Sequence, residues 1–284
     1  MRSIIQILNR LKILNLSHSH QLIKTPNLHS SNLEKLILKG CSSLVEVHQS
    51  IGNLMSIVFL NLEGCWNLKI LPESLDNVKS LKCLNIYGCS QLEKLPERMG
   101  DIESVTELLA DGIENEQFLS SIGQLKHVRR LSLCGYNSTP PSCSLISTGV
   151  LNLKCWLPTS FIEWILVKRL ELSNGGLSDH AINCVDFSGL SALEVLDLNG
   201  NKFSNLPSGI GFLPKLGILR VNACNNLVSI LDLPSSLYHL DASYCKSLER
   251  VRIPIESKKH LHINLKESHS LEEIWGIEGQ SNIF

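Results

Sequence analysis

Residues 33–96 repeat one phrase three times: LEKLILKGCSSLVEV from Leu33, IVFLNLEGCWNLKILP from Ile57 and LKCLNIYGCSQLEKLP from Leu81. The starts are 24 residues apart, and each unit places apolar residues at offsets 0, 3, 5, 11 and 14 with a cysteine at offset 8. A single amphipathic helix cannot produce this pattern, because Leu33, Leu36 and Leu38 pass from a spacing of three to a spacing of two. The period-2 step marks a short strand whose alternate residues face inward. The cysteine is expected to turn inward as a small apolar group whose weak S–H reaches backbone left unpaired by the turn.

This is the leucine-rich-repeat frame, and it extends in both directions. Earlier, Leu11, Leu14, Leu16 and Leu22 form a first repeat, and residues 4–8 read as the end of one before it. Later repeats start at Val105, Val128, Val167, Leu193, Leu216, Leu237 and, in weakened form, His260. In the Val105 repeat, Ile113 takes the cysteine slot and Glu116 the offset-11 slot. The interval from Val128 to Val167 is 39 residues, and the text near 137–166, with Pro140, Pro141 and scattered serines, reads as an irregular insertion. A degenerate repeat built on Leu151 and Leu153 is the other reading. The expected architecture is therefore an α/β leucine-rich-repeat solenoid (a horseshoe) of about 11 repeats over residues 1–276. Short parallel strands line its concave face, and loops and short helical turns lie on the convex face. Ile51, Leu75 and Met99 are expected to anchor the return segments.

Composition narrows the function. The 26 basic and 27 acidic residues nearly balance, which gives no reason to expect nucleic acid or an anionic membrane as partner. No stretch approaches the roughly 18–20 apolar residues of a membrane span, and residues 1–19 lack a signal-peptide pattern. Of ten cysteines, Cys41, Cys65, Cys89, Cys224 and Cys245 share one repeat position, with Asn201 in the same slot of its own repeat. A buried, reduced structural column is expected there, and with it a reducing compartment such as the cytoplasm. No C-x-x-C, Walker loop, H-E-x-x-H or G-x-S-x-G occurs, so no enzyme, cofactor or metal site is expected. The pairs His18 and His20, and His260 and His262, lack a third ligand.

What remains is a binding surface, of the kind the concave faces of solenoids offer to protein partners. The outward position between the two strand leucines holds Asn61, Asn85, Asp197 and Asp241, and the next holds Glu63, Tyr87, Asp111 and Ser243. Lys35, Lys82, Arg129, Arg130, Lys168 and Arg169 are expected along one rim. Two patches combine aromatic rings with hydrogen-bonding neighbours. One is Tyr87 with Asn61, Glu63, Asn85 and Asp111; the other is Tyr238, His239, Asp241 and Tyr244.

The phrases LKILNLSHSHQLIKTP, LEKLILKGCSSLVEVHQSIG, LNLEGCWNLKILPES and LPSSLYHLDASYCKSLERV resemble the repeat region of plant TIR–nucleotide-binding–leucine-rich-repeat disease-resistance receptors, of the tobacco mosaic virus resistance protein N-like group. The Gly-Cys step separates them from extracellular plant repeats. The resemblance implies an intracellular sensor for plant defence whose repeats bind pathogen effectors or guarded host proteins and restrain the receptor's switch. It also implies that SLEEIWGIEG leads, through residues 277–284, into a truncated run-in to a following domain, and that the chain is a sensor fragment, a truncated gene product or a partial gene model. A stand-alone intracellular repeat scaffold in signalling is the alternative, because such scaffolds also use LPxSIG returns.

Overall fold

The computed structural model of the chain describes residues 10–28, 32–113, 115–135, 164–183, 185–254 and 260–276. Residues 4–8, Leu151, Leu153, Cys143, Cys155 and the tail 277–284 lie outside them. The chain divides into two compact units, Met1–Leu133 and Cys134–Phe284, and the division falls where the repeat rhythm fails.

The first unit stacks six parallel strands in chain order: β1 (Ile13–Asn15), β2 (Lys35–Ile37), β3 (Phe59–Asn61), β4 (Cys83–Asn85), β5 (Glu107–Leu109) and β6 (Arg130–Ser132). Register follows the leucines, since Leu14, Leu36, Leu60, Leu84, Leu108 and Leu131 pair in succession. From Leu36 onward they are buried, each contributing roughly 1.5–3 kcal/mol by leaving water. After β1 to β5 the chain reverses through a left-handed residue, His18 at φ 59° in the first of them. Gly40, Gly64, Gly88 and Gly112 hold φ of 69° to 72° there, which explains the glycine of the Gly-Cys step.

The return segments are single 3-10 turns at Gln49–Asn53, Glu73–Asn77 and Met99–Asp101, with Ile51, Leu75 and Met99 buried as anchors. The Val105 repeat departs from the frame for a local reason. Asn115 caps a seven-residue helix, α1 (Glu116–Ile122), its Oδ1 accepting from the N–H groups of Gln117 and Phe118 at 2.8 and 3.4 Å. Phe118 and Leu119 from this helix are buried.

The second unit repeats the plan with β7 (Arg169–Glu171), β8 (Val195–Asp197), β9 (Ile218–Arg220), β11 (His239–Asp241) and β13 (His262–Asn264). Trp164, read from sequence as part of the insertion, is a core residue. It accepts from the Val167 N–H at 3.0 Å, as Leu54 does from Ile57 and Leu190 from Leu193. A short helix, α2 (Asp179–Ile182), follows β7. A second parallel sheet was not anticipated: β10 (Ser229–Ile230), β12 (Arg250–Arg252) and β14 (Glu273–Trp275) pair in that order. Its inward residues Ile230 and Val251 are the offset-14 apolar positions of their repeats. The frame thus codes two sheets where one was read.

Where the offset-8 slot holds Cys, Asn or Ser, its side chain donates a hydrogen bond to the repeat before it. Cys41 Sγ donates to Leu16 O at 3.1 Å, Cys65 to Leu38 O at 3.2 Å and Cys89 to Leu62 O at 3.2 Å. In the second unit Cys224 donates to Leu198 O at 3.3 Å and Cys245 to Val221 O at 3.0 Å. Asn201 donates through Nδ2 to Leu172 O and Leu198 O at 2.9 and 2.8 Å, and Ser268 Oγ donates to Ala242 O at 2.9 Å. All five cysteines are buried and free. Burial pushes the thiols of Cys65 and Cys224 up to about 12 and that of Cys245 up to about 11, and raises Cys41 and Cys89 as well.

Two outcomes follow from this core. Leu60→Ala should lose ~2–5 kcal/mol in a denaturant titration through the cavity it leaves. The thiols stay protonated in the folded chain, whereas an unfolded thiol ionises near its ordinary value of 9.0. Their contribution to stability is therefore complete below about pH 9 and declines as pH rises toward about 12. Denaturation midpoints measured from pH 7 to 11 should be flat, as far as the thiols decide them, and then fall above about pH 9; Cys65→Ala should shallow that fall.

Candidate functional site

The sequence places polar residues outward along the strands, and the structure divides them into two groups with different roles. Asn61 and Asn85, expected to be exposed and to contact a partner, are only 9% exposed. The cause is a turn: Glu63 N–H donates to Asn61 Oδ1 at 2.8 Å, and Tyr87 N–H donates to Asn85 Oδ1 at 3.0 Å. The same i-to-i+2 bond recurs at Asp197 with Asn199 and at Asp241 with Ser243, at 3.0 and 3.1 Å. Asn and Asp suit this position because a short side-chain oxygen can close the reversal of its own backbone. Ser132 and Ser243 are buried too, and donate to Asp111 Oδ1 and Asp241 Oδ1, each at 2.6 Å. These residues form the ends of the strands. As contacts for a partner, Asn61 and Asn85 are withdrawn.

Basic residues do not form a free rim in the second unit. Lys168 Nζ bonds Glu194 at 2.8 Å, and the Arg169 guanidinium bonds Glu171. In the first unit Lys39 Nζ bonds Glu63 at 2.9 Å.

In that unit Tyr87 remains, half-buried, beside Glu63 and Asp111, with Ile37, Phe59 and Leu109 half-buried on neighbouring strands.

The second unit holds the more built surface. Tyr238 is 38% exposed, and its ring lies on the backbone of Gly217, where an added Cβ would come within 2.2 Å of Cε1. Gly217 is the only glycine at its repeat position, a signal the sequence carried. Next to it, the rings of His239 and His262 stack with centroids 5.1 Å apart and planes 10° apart. Burial, and then His262, hold the His239 imidazole below its ordinary value. Beyond Asp241, Tyr244 is 45% exposed at φ 59°, the left-handed position that four repeats of the first unit fill with glycine. Asn174, Ala223 and Glu267 hold the same left-handed position in their own repeats, so what sets Tyr244 apart is its exposed ring there. The sequence sets His262 beside His260 only; its stacking on His239 depends on β11–β13 register.

The family model for the Leucine Rich Repeat matches residues 192–213. The protein SUPPRESSOR OF npr1-1, CONSTITUTIVE 1 of Arabidopsis thaliana is 39% identical over 279 residues, 95% of this chain and 19% of that protein. Disease resistance protein RPS4B of the same plant is 28% identical over 280 residues, 93% of this chain and 21% of that protein. TMV resistance protein N of Nicotiana glutinosa is 29% identical over 110 residues, 38% of this chain and 9% of that protein. The chain thus spans about a fifth or less of the length of these relatives. Among solved structures, a Leptospira interrogans leucine-rich-repeat protein aligns with 96% of this chain and 86% of its own, at 18% identity and a TM-score of 0.48.

Two substitutions separate turn-forming from displayed residues. Asn61→Ala should cost about 1 kcal/mol in a denaturant titration, the loss of one buried hydrogen bond. Tyr244→Gly should instead stabilise the chain by roughly 1–2 kcal/mol by relieving the left-handed strain.

Proposed function

As a leucine-rich-repeat chain whose relatives are plant disease-resistance proteins, this protein is, we propose, the recognition region of an intracellular immune receptor. It binds a pathogen effector or a guarded host protein, restrains the receptor's switch until that contact is made, and acts in the cytoplasm or nucleus without catalysing a reaction. The observation that best supports the reading is the group of displayed rings along and flanking β11. Tyr238 is pinned on Gly217, His239 is stacked on His262, and Tyr244 is displayed at a strained position glycine would fill at lower cost. Interfaces draw most of their energy from ordered aromatic anchors, and Tyr loses little entropy on binding because its ring is already fixed.

Among the concave patches the geometry thus favours Tyr238, His239 and Tyr244 over Tyr87, whose neighbours Asn61 and Asn85 are committed to turns. The test is a pairwise interaction screen of the chain against the secreted proteins of a plant pathogen, followed by titration of each binder. Tyr238→Ala and Tyr244→Ala should each weaken the complex by ~1–2 kcal/mol, and Tyr87→Ala should do so less. A complex indifferent to all three substitutions would remove the concave face from the account.

A further inference from the structure

The return side of the second unit carries an anomaly that concave-face recognition does not use. Each return turn has an anchor whose carbonyl accepts from the N–H three residues on: Ile51 and Leu54, Leu75 and Val78, Met99 and Ile102, Ile122 and Leu125, Phe187 and Leu190, Ile210 and Leu213. Two residues after the anchor stand Asn53, Asn77, Asp101, Gln124 and Gly189, and then Phe212. Phe212 is 83% exposed, where every counterpart is polar or glycine.

The next repeat explains this exposure. From Leu193 to Leu216 is 23 residues, but from Leu216 to Leu237 is 21, and no 3-10 turn forms between Leu231 and Ser236. Elsewhere consecutive turns press together. A Cβ added at Gly52 would meet Ser74 O at 2.5 Å, and one at Gly100 would meet Gln124 O at 2.2 Å. At Gly211, the matching position beside Phe212, the nearest atoms of the following repeat belong to Asp232 at 3.4 Å. The missing turn leaves a notch of about 620 Å3, walled by Leu206, Phe212, Leu231 and Pro254. This falls within the roughly 300–1,000 Å3 of ordinary ligand pockets. Asp232 and Arg252 also line it. Both are exposed, and neither makes an ion pair with another described residue.

We propose that this notch is a docking site for a segment of a partner protein that inserts a bulky apolar side chain between an acidic residue facing Arg252 and a basic residue facing Asp232. The exposed aromatic ring supplies the apolar anchor surface, and the two exposed charges of opposite sign, Asp232 and Arg252, fix the orientation of the segment. A solenoid that binds on its concave face leaves this side free for a second protein.

The experiment pans the full chain against a phage-displayed library of random peptides, after sedimentation has defined its oligomeric state. Enriched peptides should share an aromatic, Leu or Met residue flanked by Asp or Glu on one side and Lys or Arg on the other. Phe212→Ser should weaken them about tenfold or more, with the circular dichroism spectrum unchanged. Arg252→Glu should weaken them similarly, and a peptide with its acidic residue exchanged for Lys should regain affinity for that variant. Tyr238→Ala, on the concave face, should leave this binding unaltered. No enrichment, indifference to Phe212→Ser, or failure of the charge exchange would overturn the proposal. So would a dimer abolished by Phe212→Ser, which would assign the notch to a second copy of the chain.

Discussion

In the repeats with Cys, Asn or Ser at offset 8 the chain turns inward after its strand, and the turn leaves a backbone carbonyl aimed into an otherwise apolar core. The ladder at offset 8 answers that constraint. Leu38 O accepts the Cys41 N–H of its own repeat at 3.1 Å and the Cys65 thiol of the next at 3.2 Å, so both lone pairs are used. A bare carbonyl in such a place would cost about 1–3 kcal/mol. The donor must be small enough to bury and must lie one repeat away, which is why Cys, Asn and Ser alternate at Cys65, Asn201 and Ser268. Because each bond joins neighbouring repeats, the ladder also fixes the axial spacing that aligns the strands. The Val105 repeat, with Ile113 in the slot, has no such donor, and there a capped helix and the Phe118 ring fill the interior instead.

That internal constraint decides what the outer face can do. Closing the turn consumes Asn61, Asn85, Asp197 and Asp241, whose oxygens face backbone N–H groups rather than solvent. The displayed residues are the ones the turn does not need: Tyr238 on its glycine bed, the paired imidazoles of His239 and His262, and Tyr244 at the reversal. Display is thereby concentrated on few side chains held by a scaffold that does not depend on them. The shortened repeat after Leu216 has the corresponding effect on the other side, where loss of a turn exposes Phe212.

The strands, their register and the buried cysteines were legible because the 24-residue period overrides local ambiguity: Leu36, Leu60 and Leu84 can occupy only equivalent places. The weak final repeat was legible for the same reason, with Ser268 in the ladder slot. The second sheet was less visible, since Ser229–Ile230 and Arg250–Arg252 are too short to show alternation by themselves. Solvent exposure was misjudged where a polar side chain has two possible partners. A sequence shows that Asn61 points outward, but not that the Glu63 N–H lies within 2.8 Å of its oxygen. Trp164 was hidden by the irregular text around it, although it sits three residues before Val167, as Leu54 does before Ile57.

The ladder is tested most directly by labelling the native protein with a thiol-specific alkylating reagent at neutral pH and mapping the modified cysteines by mass spectrometry. Cys41, Cys65, Cys89, Cys224 and Cys245 should stay unmodified until the chain unfolds, while the half-buried Cys83 and Cys134 react first. Rapid native labelling of the five, or a disulfide joining any two of them, would contradict the account.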